Sequence, residues 1–285
     1  MDHSLPILRS SFIAACALAA SSSPLANAAE PVRVAFQNGK SVPVSSLALK
    51  GDQLVVTVAG DGFTEGQLLP VQSADHVFGD KPAPINQALA LLLTNKDRAR
   101  DAQKILEPVV AEQRITSKIY GNYWLEAARG LLVAYAVNGD TKQCTDLGKE
   151  ISDATPAQGA DPFIALGKAL LMPPLAKVEE RESALRDQTT DNLPAEVCAY
   201  ASFFRGDLLA AERNPNGALQ AYLSVSCLYP TGGMILNAAA ELKAADLLAA
   251  QGKRDEALML VKSAVHSCGG TSLVNEANKR LESLK

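Results

Sequence analysis

Hydrophobic and polar residues alternate along residues 31–79, which is the pattern of half-buried β-strands. Val32, Val34 and Phe36 each lie between smaller or more polar neighbours. Asn38-Gly39 then gives a hairpin signal, because both positions of that turn favour positive φ. Residues 54–58 are the most strand-like run of the chain. We therefore predict a small antiparallel β domain over residues 31–79, as a sheet or half-closed barrel of four or five strands.

Beyond a proline-rich boundary at residues 80–84, the hydrophobic spacing becomes helical and stays helical to the end of the chain. It predicts a final amphipathic helix at 272–284 and, before it, five helix pairs: 84–94 with 97–112, 118–137 with 140–153, 160–171 with 174–188, 194–212 with 215–229, and 234–251 with 253–267. The third pair fits least well, because Met172-Pro173-Pro174 interrupts it and residues 179–182 are too polar for a buried seam.

Small residues recur at a fixed distance in these pairs. Ala218 and Ala257 lie 39 positions apart, and so do Gly206 and Ala245. Ala102 precedes Ala218 by three repeats of about the same length. Small residues let two helices approach closely, and bulky residues fill the space between them. The order predicts a mostly α protein, in which an α–α superhelix of repeated helix pairs follows the β domain.

The repeated motif resembles that of tetratricopeptide-repeat (TPR) proteins over residues 84–285. In the fourth pair the consensus spacings are held by Gly206, Leu209, Ala218, Tyr222 and Pro230. In the fifth they are held by Ala245, Leu248, Gly252, Ala257, Val261 and Ala264. The chain departs from the family in its longer repeat, about 34 residues being usual, in Gly269 at the place of the proline, and in Ser202 and Glu241 where tryptophan is common.

The resemblance implies a concave groove that is lined by the first helix of each pair and takes a protein or peptide. The groove positions, carried over from the family, are Tyr200, Phe203, Asp207, Leu242, Asp246, Glu126, Arg129 and Val133. Aromatic rings beside carboxylates suit a segment with apolar and basic side chains. In the alternative interpretation, Tyr200 and Phe203 are core residues and the charges form a solvated face. Residues 218–284 are most similar to exported bacterial repeat proteins of cell-envelope assembly and division complexes.

Residues 1–28 have the pattern of a cleaved signal peptide. A short polar start that ends at Arg9 is followed by a small, apolar run over residues 10–20, and Ala26-Asn27-Ala28 is a cleavage site. We predict export to the periplasm or beyond, with cleavage after Ala28. The alternative is a lipoprotein attached through Cys16. No later stretch is long and apolar enough to span a bilayer.

Charge and cysteine content narrow the function classes. The formal net charge is −4, which argues against nucleic-acid binding and against adhesion to an anionic membrane. After cleavage four cysteines remain, and an exported chain can oxidise them. Cys198 and Cys227 could face each other across the fourth helix pair and form a disulfide, and the alternative is four buried thiols.

The remaining candidate chemistry is sparse. Tyr120, Tyr123 and Trp124 form an aromatic cluster that suits core packing, or otherwise a stacking surface for a ligand such as a sugar. His76 and His266 are far apart in sequence, and we predict no metal site and no cofactor. Residues 179–182 form a solvated helix face or, alternatively, an acidic patch.

Three functions are compatible with these patterns. The leading hypothesis is a non-enzymatic scaffold or adaptor of the cell envelope that binds a protein or peptide through the concave face. The first alternative is an enzyme that acts on glycans or peptidoglycan with acidic residues of the solenoid, which a pocket with two nearby carboxylates would favour. The second alternative is a structural envelope protein that self-associates through an edge strand of the β domain.

Overall fold

A computed structural model describes residues 29–155 and 160–284. Pro31–Lys285 forms one compact unit. The predicted signal peptide, residues 1–28, lies outside the described residues together with Cys16, so cleavage after Ala28 and the lipoprotein alternative stay predictions. None of the described helices has the length and apolarity that a membrane span requires.

Within the described chain, the N-terminal region contains six short strands in two antiparallel sheets. The strands are β1 (Arg33–Phe36), β2 (Ser41–Pro43), β3 (Leu47–Lys50), β4 (Gln53–Val56), β5 (Leu68–Pro70) and β6 (Ala74–Phe78). β1 lies between β2 and β6, and β4 lies between β3 and β5. Inward side chains from both sheets, Val34 and Leu54 among them, share one hydrophobic core. The predicted antiparallel β region is confirmed, and β3 is the strand that the alternation missed.

The two sheets repeat one arrangement, in which β1–β3 corresponds to β4–β6. The Gln37 amide, just after β1, donates to the Ser73 carbonyl, just before β6, at 3.0 Å. At the matching place the Thr57 amide, just after β4, donates to the Ser46 carbonyl, just before β3, at 2.9 Å. The connection from β1 to β2 is the predicted tight turn, where Gly39 has φ of 77°, whereas the connection from β4 to β5 is longer and turns at Asp61 and Gly62, which have φ of 53° and 81°. The β region is therefore an approximate twofold repeat with two different hairpin connections.

After Phe78 the described residues form α-helices and short connecting turns, with no further strand. The helices are α1 (Ala83–Thr94), α2 (Ala99–Gln113), α3 (Trp124–Asn138), α4 (Thr141–Ala154), α5 (Pro162–Leu170), α6 (Val178–Arg186), α7 (Ala195–Ala211), α8 (Pro215–Leu228), α9 (Met234–Ala250), α10 (Arg254–Ser267) and α11 (Leu273–Ser283). α1–α2, α3–α4, α5–α6, α7–α8 and α9–α10 are the first to fifth pairs, and α11 packs on α10. The predicted mostly α, TPR-like arrangement of helix pairs is confirmed.

Small residues set the spacing inside the pairs, as the repeat pattern indicated. A Cβ atom on Gly206 of α7 would lie 2.5 Å from the Tyr222 ring of α8, so glycine is needed for the two helices to approach. Ala102, Ala218 and Ala257 lie on the second helices of their pairs and are all fully buried. Their full burial on equivalent helices supports one repeated helix–helix contact along the chain.

The inner face of the helical array is closed. The first helices of successive pairs pack against one another, and α1 also packs against α9. The approach is close: a Cβ atom on Gly130 of α3 would lie 2.9 Å from Leu89 Cδ2 of α1. Over the described helices the inner face is therefore packed, apart from a cavity of about 170 Å³ between α1, α3, α7 and α9. This corrects the expectation of an open concave groove, because the contact between α1 and α9 closes the face that a peptide would enter.

Candidate functional site

The apolar members of the predicted groove lie in the core. Tyr200 is 5% exposed and Phe203 is 1% exposed, and Leu242 and Val133 are also buried. The Phe203 ring centroid lies 5.8 Å from that of Tyr222 in an edge-to-face contact. Burial raises the pKa of the Tyr200 hydroxyl. Tyr200 and Phe203 are core residues, as the alternative interpretation predicted. Leu242 and Val133, which were predicted to line the groove, also pack between the helices.

Arg129 ties together the N-terminal ends of three helices. Its Nη2 lies 2.7 Å from Asp161 Oδ2 at the start of α5, and its Nη1 lies 3.3 Å from Glu196 Oε2 in α7. The Asp161 side chain is 1% exposed and also accepts the Phe163 amide as the N-cap of α5. The Arg129 guanidinium stands over the Phe163 ring at 5.1 Å. This arrangement gives Arg129 a structural role at the junction of α3, α5 and α7.

A cavity of about 170 Å³ lies beside this cluster and is lined by both Glu126 and Glu196. Lys81 Nζ lies 2.8 Å from Glu126 Oε1. Burial raises the pKa of the Glu196 carboxyl, and the nearby Arg129 charge opposes that shift. The cavity is smaller than the roughly 300–1,000 Å³ of most ligand sites, and each carboxylate has a cation beside it. The pair therefore suits holding helices together better than acid–base work on a glycan.

The two predicted groove aspartates link successive pairs. Tyr222 donates its hydroxyl to Asp207 Oδ1 at 2.7 Å, and Lys243 Nζ of α9 lies 3.3 Å from the same oxygen. Arg280 of α11 donates to both oxygens of Asp246 at 2.7 and 2.9 Å. Charged residues that sequence reasoning assigned to a partner thus have partners within the chain.

The predicted disulfide is not formed. Cys144, Cys198, Cys227 and Cys268 are all free thiols. Cys198 is buried near the Leu193 carbonyl, whereas Cys227 is exposed on α8, so the two do not share one face of the fourth pair. Burial raises the pKa of the Cys144 thiol to about 11. The described residues also contain no group of His, Cys, Asp and Glu that could hold a metal ion.

The aromatic cluster before α3 divides between core and surface. Trp124 is fully buried, and Tyr123 donates its hydroxyl to the Gly79 carbonyl at 2.7 Å. Tyr120 is exposed, but its carbonyl accepts the Val77 amide at 2.9 Å. The core-packing interpretation, which covered all three residues, holds for Trp124 and Tyr123 and is wrong for Tyr120.

The largest departure from the regular repeat is an apolar cleft at the third pair. It has a volume of about 360 Å³, which falls within the usual range of ligand sites. Its walls are the last turn of α3, the end of α5 with the turn that follows, one face of α6, and the second half of α7. The residues of this third-pair cleft are Ala136, Val137, Asn138, Gly139, Ala169, Leu170, Leu171, Met172, Pro174, Arg181, Leu185, Phe204 and Leu208.

The cleft exists because α5 is short. α5 and α7 start at the same level, since Asp161 and Glu196 both contact Arg129. α5 has nine residues and α7 has 17, so at about 1.5 Å per residue α7 extends about 12 Å further. Pro173 and Pro174 prevent α5 from continuing, because proline lacks the amide hydrogen and disfavours helix before it. The interruption at Met172-Pro173-Pro174 is the sequence signal for this cleft, although the spacing alone presents it only as a poor repeat.

Comparisons with known proteins add a general similarity. No protein-family model matches the chain, and no curated protein matches it. A structure of TTC0263, a thermophilic TPR protein from Thermus thermophilus, is similar with a TM-score of 0.38 and 18% identity, over 71% of this chain and 98% of that one. A putative kinesin light chain from Podosopora anserina with nearly identical TPR-like repeats has a TM-score of 0.30 and 16% identity, over 65% of this chain and 95% of that one.

The architecture itself defines the class of protein. Paired helices, with small residues at the contact between them and a repeat of about 39 residues, make a TPR-like helical repeat behind a small β region. This assignment depends on the helix pairs described above and not on the two similar structures.

Proposed function

We propose that this protein is a non-enzymatic scaffold of the cell envelope that binds another protein at the third-pair cleft. The observation that carries the proposal is the contrast between the two faces of the helical array. The inner face is packed apart from a cavity of about 170 Å³, whereas the cleft at the third pair is lined mostly by apolar side chains, of ligand size and open at the surface. A preformed site on rigid helices loses little conformational entropy on binding.

The surroundings of the cleft support a protein partner. Leu175, in the turn beside the cleft, is 99% exposed, and Leu171 and Met172 at its edge are half-buried. Apolar side chains grouped around a depression are typical of protein-binding surfaces. Export to the envelope depends on the signal-peptide pattern of residues 1–28, which is why we place the partner there.

Site-directed photo-crosslinking tests the proposal. A photoreactive phenylalanine derivative at Met172 should give one discrete protein adduct in cells that make this protein, and the purified chain should begin at Ala29. The same derivative at Met259, a 72% exposed methionine on α10 outside the cleft, is the matched control and should give none. Equal adducts at both positions, or no adduct at Met172, would contradict a binding role for the cleft. A chain that still begins at Met1 would contradict export.

A further inference from the structure

Arg181 is the one charged residue that lines the third-pair cleft. It is half-buried on α6, and within the described ranges 29–155 and 160–284 no carboxylate or carbonyl pairs with its guanidinium. The neighbouring carboxylate of Glu182 is already taken, because Arg205 donates to its Oε1 through two nitrogens at 3.0 and 2.8 Å.

No other residue of α6 is placed to form a helical ion pair with Arg181. Positions three and four residues from Arg181, where a helical ion pair would form, hold Lys177, Val178, Ala184 and Leu185. Arg181 is therefore a cation beside an apolar cavity, and no carboxylate of the described part of the chain is paired with it. A planar guanidinium in such a place matches a carboxylate, which it can bind through two parallel hydrogen bonds.

The backbone around the cleft favours a polypeptide over a free fatty acid. Val137 and Asn138 are the last two residues of α3, so their carbonyls have no donor within the helix. Leu170 is likewise the last residue of α5. Carbonyl acceptors at the edge of an apolar cavity match the amide hydrogens of a peptide backbone, and an aliphatic chain has none to offer.

We propose that the third-pair cleft binds a polypeptide segment in which one acidic side chain stands among aliphatic or aromatic ones, with Arg181 holding the carboxylate. The apolar side chains would lie on the floor that Leu185, Phe204 and Leu208 form. This inference rests on the proposed scaffold function and adds the chemistry of the partner to it.

The test is a set of N-acetylated, C-amidated hexapeptides with Asp or Glu at a central position and Leu, Phe, Val or Ala elsewhere, against the same set with Asn or Gln. Binding to the full-length protein is measured by fluorescence anisotropy. The tightest acidic peptide should bind about tenfold better than its amide counterpart, the usual effect of a hydrogen bond to a charged group. Blocked peptide ends exclude a contribution from the terminal carboxylate.

Matched variants locate the effect. Arg181→Gln should bring the acidic-to-amide ratio close to one, and Arg181→Lys should keep part of it because the charge remains. Arg186→Gln is the control, since Arg186 lies on the same helix but outside the cleft, and it should leave the ratio unchanged. Circular dichroism of each variant separates loss of binding from loss of fold.

Three results would overturn the inference. The first is equal binding of acidic and amide peptides, and the second is equal effects of Arg181→Gln and Arg186→Gln. The third is Arg181-dependent binding of decanoate with no peptide binding, which would assign the cleft to a fatty acid. A crosslinked partner at Met172 combined with any of these would leave the scaffold function standing and remove only the acidic-peptide assignment.

Discussion

The third and fourth helix pairs hold their helices together in different ways. In the fourth pair, helices of 17 and 14 residues meet along a seam where Gly206 faces the Tyr222 ring. In the third pair, both helices have nine residues, and α5 is anchored at its first turn by Arg129 and the buried Asp161. The fourth pair is therefore held by close packing along the length of its helices, and the third pair is held by a buried ion pair at one end.

The difference shows what a repeat protein can give up locally. Because each pair packs mainly on its neighbours, one pair can be shortened if another interaction fixes its position. Here the shortened pair keeps its N-terminal contacts and loses its C-terminal ones, so the cleft opens at the far end of α5. The irregular repeat therefore gives the array a surface that can receive a partner.

The largest effect is expected from removing the anchor of the third pair. Arg129→Met leaves the buried Asp161 carboxylate without its cation and should lower the free energy of unfolding by about 3–5 kcal/mol in urea denaturation. Arg205→Met is the matched control, because Arg205 and Glu182 are each 25% exposed, and it should cost about 1 kcal/mol or less. Equal losses in the two variants would mean that Arg129 is no special anchor.

Glycine-to-alanine changes should lower the free energy of unfolding by a smaller amount, and by more in the fourth pair than in the third. Alanine is the better helix former by about 1 kcal/mol, but in Gly206→Ala its Cβ would meet the rigid Tyr222 ring at 2.5 Å, so a net loss of about 2 kcal/mol is expected. In Gly167→Ala of α5 the Cβ would meet Leu132 Cδ2 at 2.7 Å and Cys144 Sγ at 3.1 Å, which are ends of side chains that can move. That variant should stay within about 1 kcal/mol of the unmodified protein.

The melting temperatures of the Gly206→Ala and Gly167→Ala variants are measured, and Gly148→Ala is the reference variant. A Cβ there would have only an ordinary contact, at 3.4 Å from Ile164 Cγ1, so this variant should be neutral or slightly stabilised. If Gly167→Ala proved as harmful as Gly206→Ala, the third pair would depend on close packing as much as the fourth does.

The smallest expected change in the free energy of unfolding comes from Glu241, a partly buried carboxylate on α9. Removing its charge should stabilise the protein, whereas removing the charge of Arg129 should destabilise it. Burial raises the pKa of the Glu241 carboxyl in α9, although the Ser263 hydroxyl donates to its Oε1 at 3.0 Å, and Oε2 has no partner among the described residues. A raised pKa of an acid means that ionisation destabilises the folded state, so the cost is absent below the ordinary pKa and grows as the pH rises through the folded-state value. Glu241→Gln should therefore stabilise the protein by up to about 1 kcal/mol at pH 7, with the difference vanishing near pH 4.

Urea titrations of both proteins across that pH range provide the measurement. A difference that is constant with pH would show that the Glu241 charge has no part in it, and a destabilised glutamine variant at pH 7 would show that the carboxylate is favourable where it stands.

Local pattern was sufficient to predict most elements of this fold. Helical spacing and the prolines gave most helices within a few residues, because a helix start or stop depends on nearby residues: Pro215 in the first turn of α8 and Gly139 at the end of α3 are examples. The start of α3 is an exception, since it was predicted at residue 118 and lies at Trp124. The strand β3 was missed because Leu47–Lys50 is short and only its first residue is buried. The twofold repeat of the β region depends on pairing between strands far apart in sequence, which alternation does not reveal.

The candidate site was less predictable, because it depends on how far the superhelix turns. Tyr200 and Leu242 stand at groove positions of the family motif, but the contact between α1 and α9 converts those positions to core. That contact joins segments about 150 residues apart, and no local pattern specifies it. Arg181, which lines the cleft, lies in the segment that fitted the repeat pattern least well. That poor fit was the feature of the sequence that indicated where the cleft lies.

The meeting of α1 with α9 changes how this protein resists unfolding. An open array of repeats loses its terminal units first, since each end has only one neighbour. Here the opening helix is buttressed by the ninth, so fraying at either terminus must break a long-range contact, and the array should melt as one cooperative body. The same contact spans a long loop of chain, which places its formation late in folding, after the local hairpins have assembled.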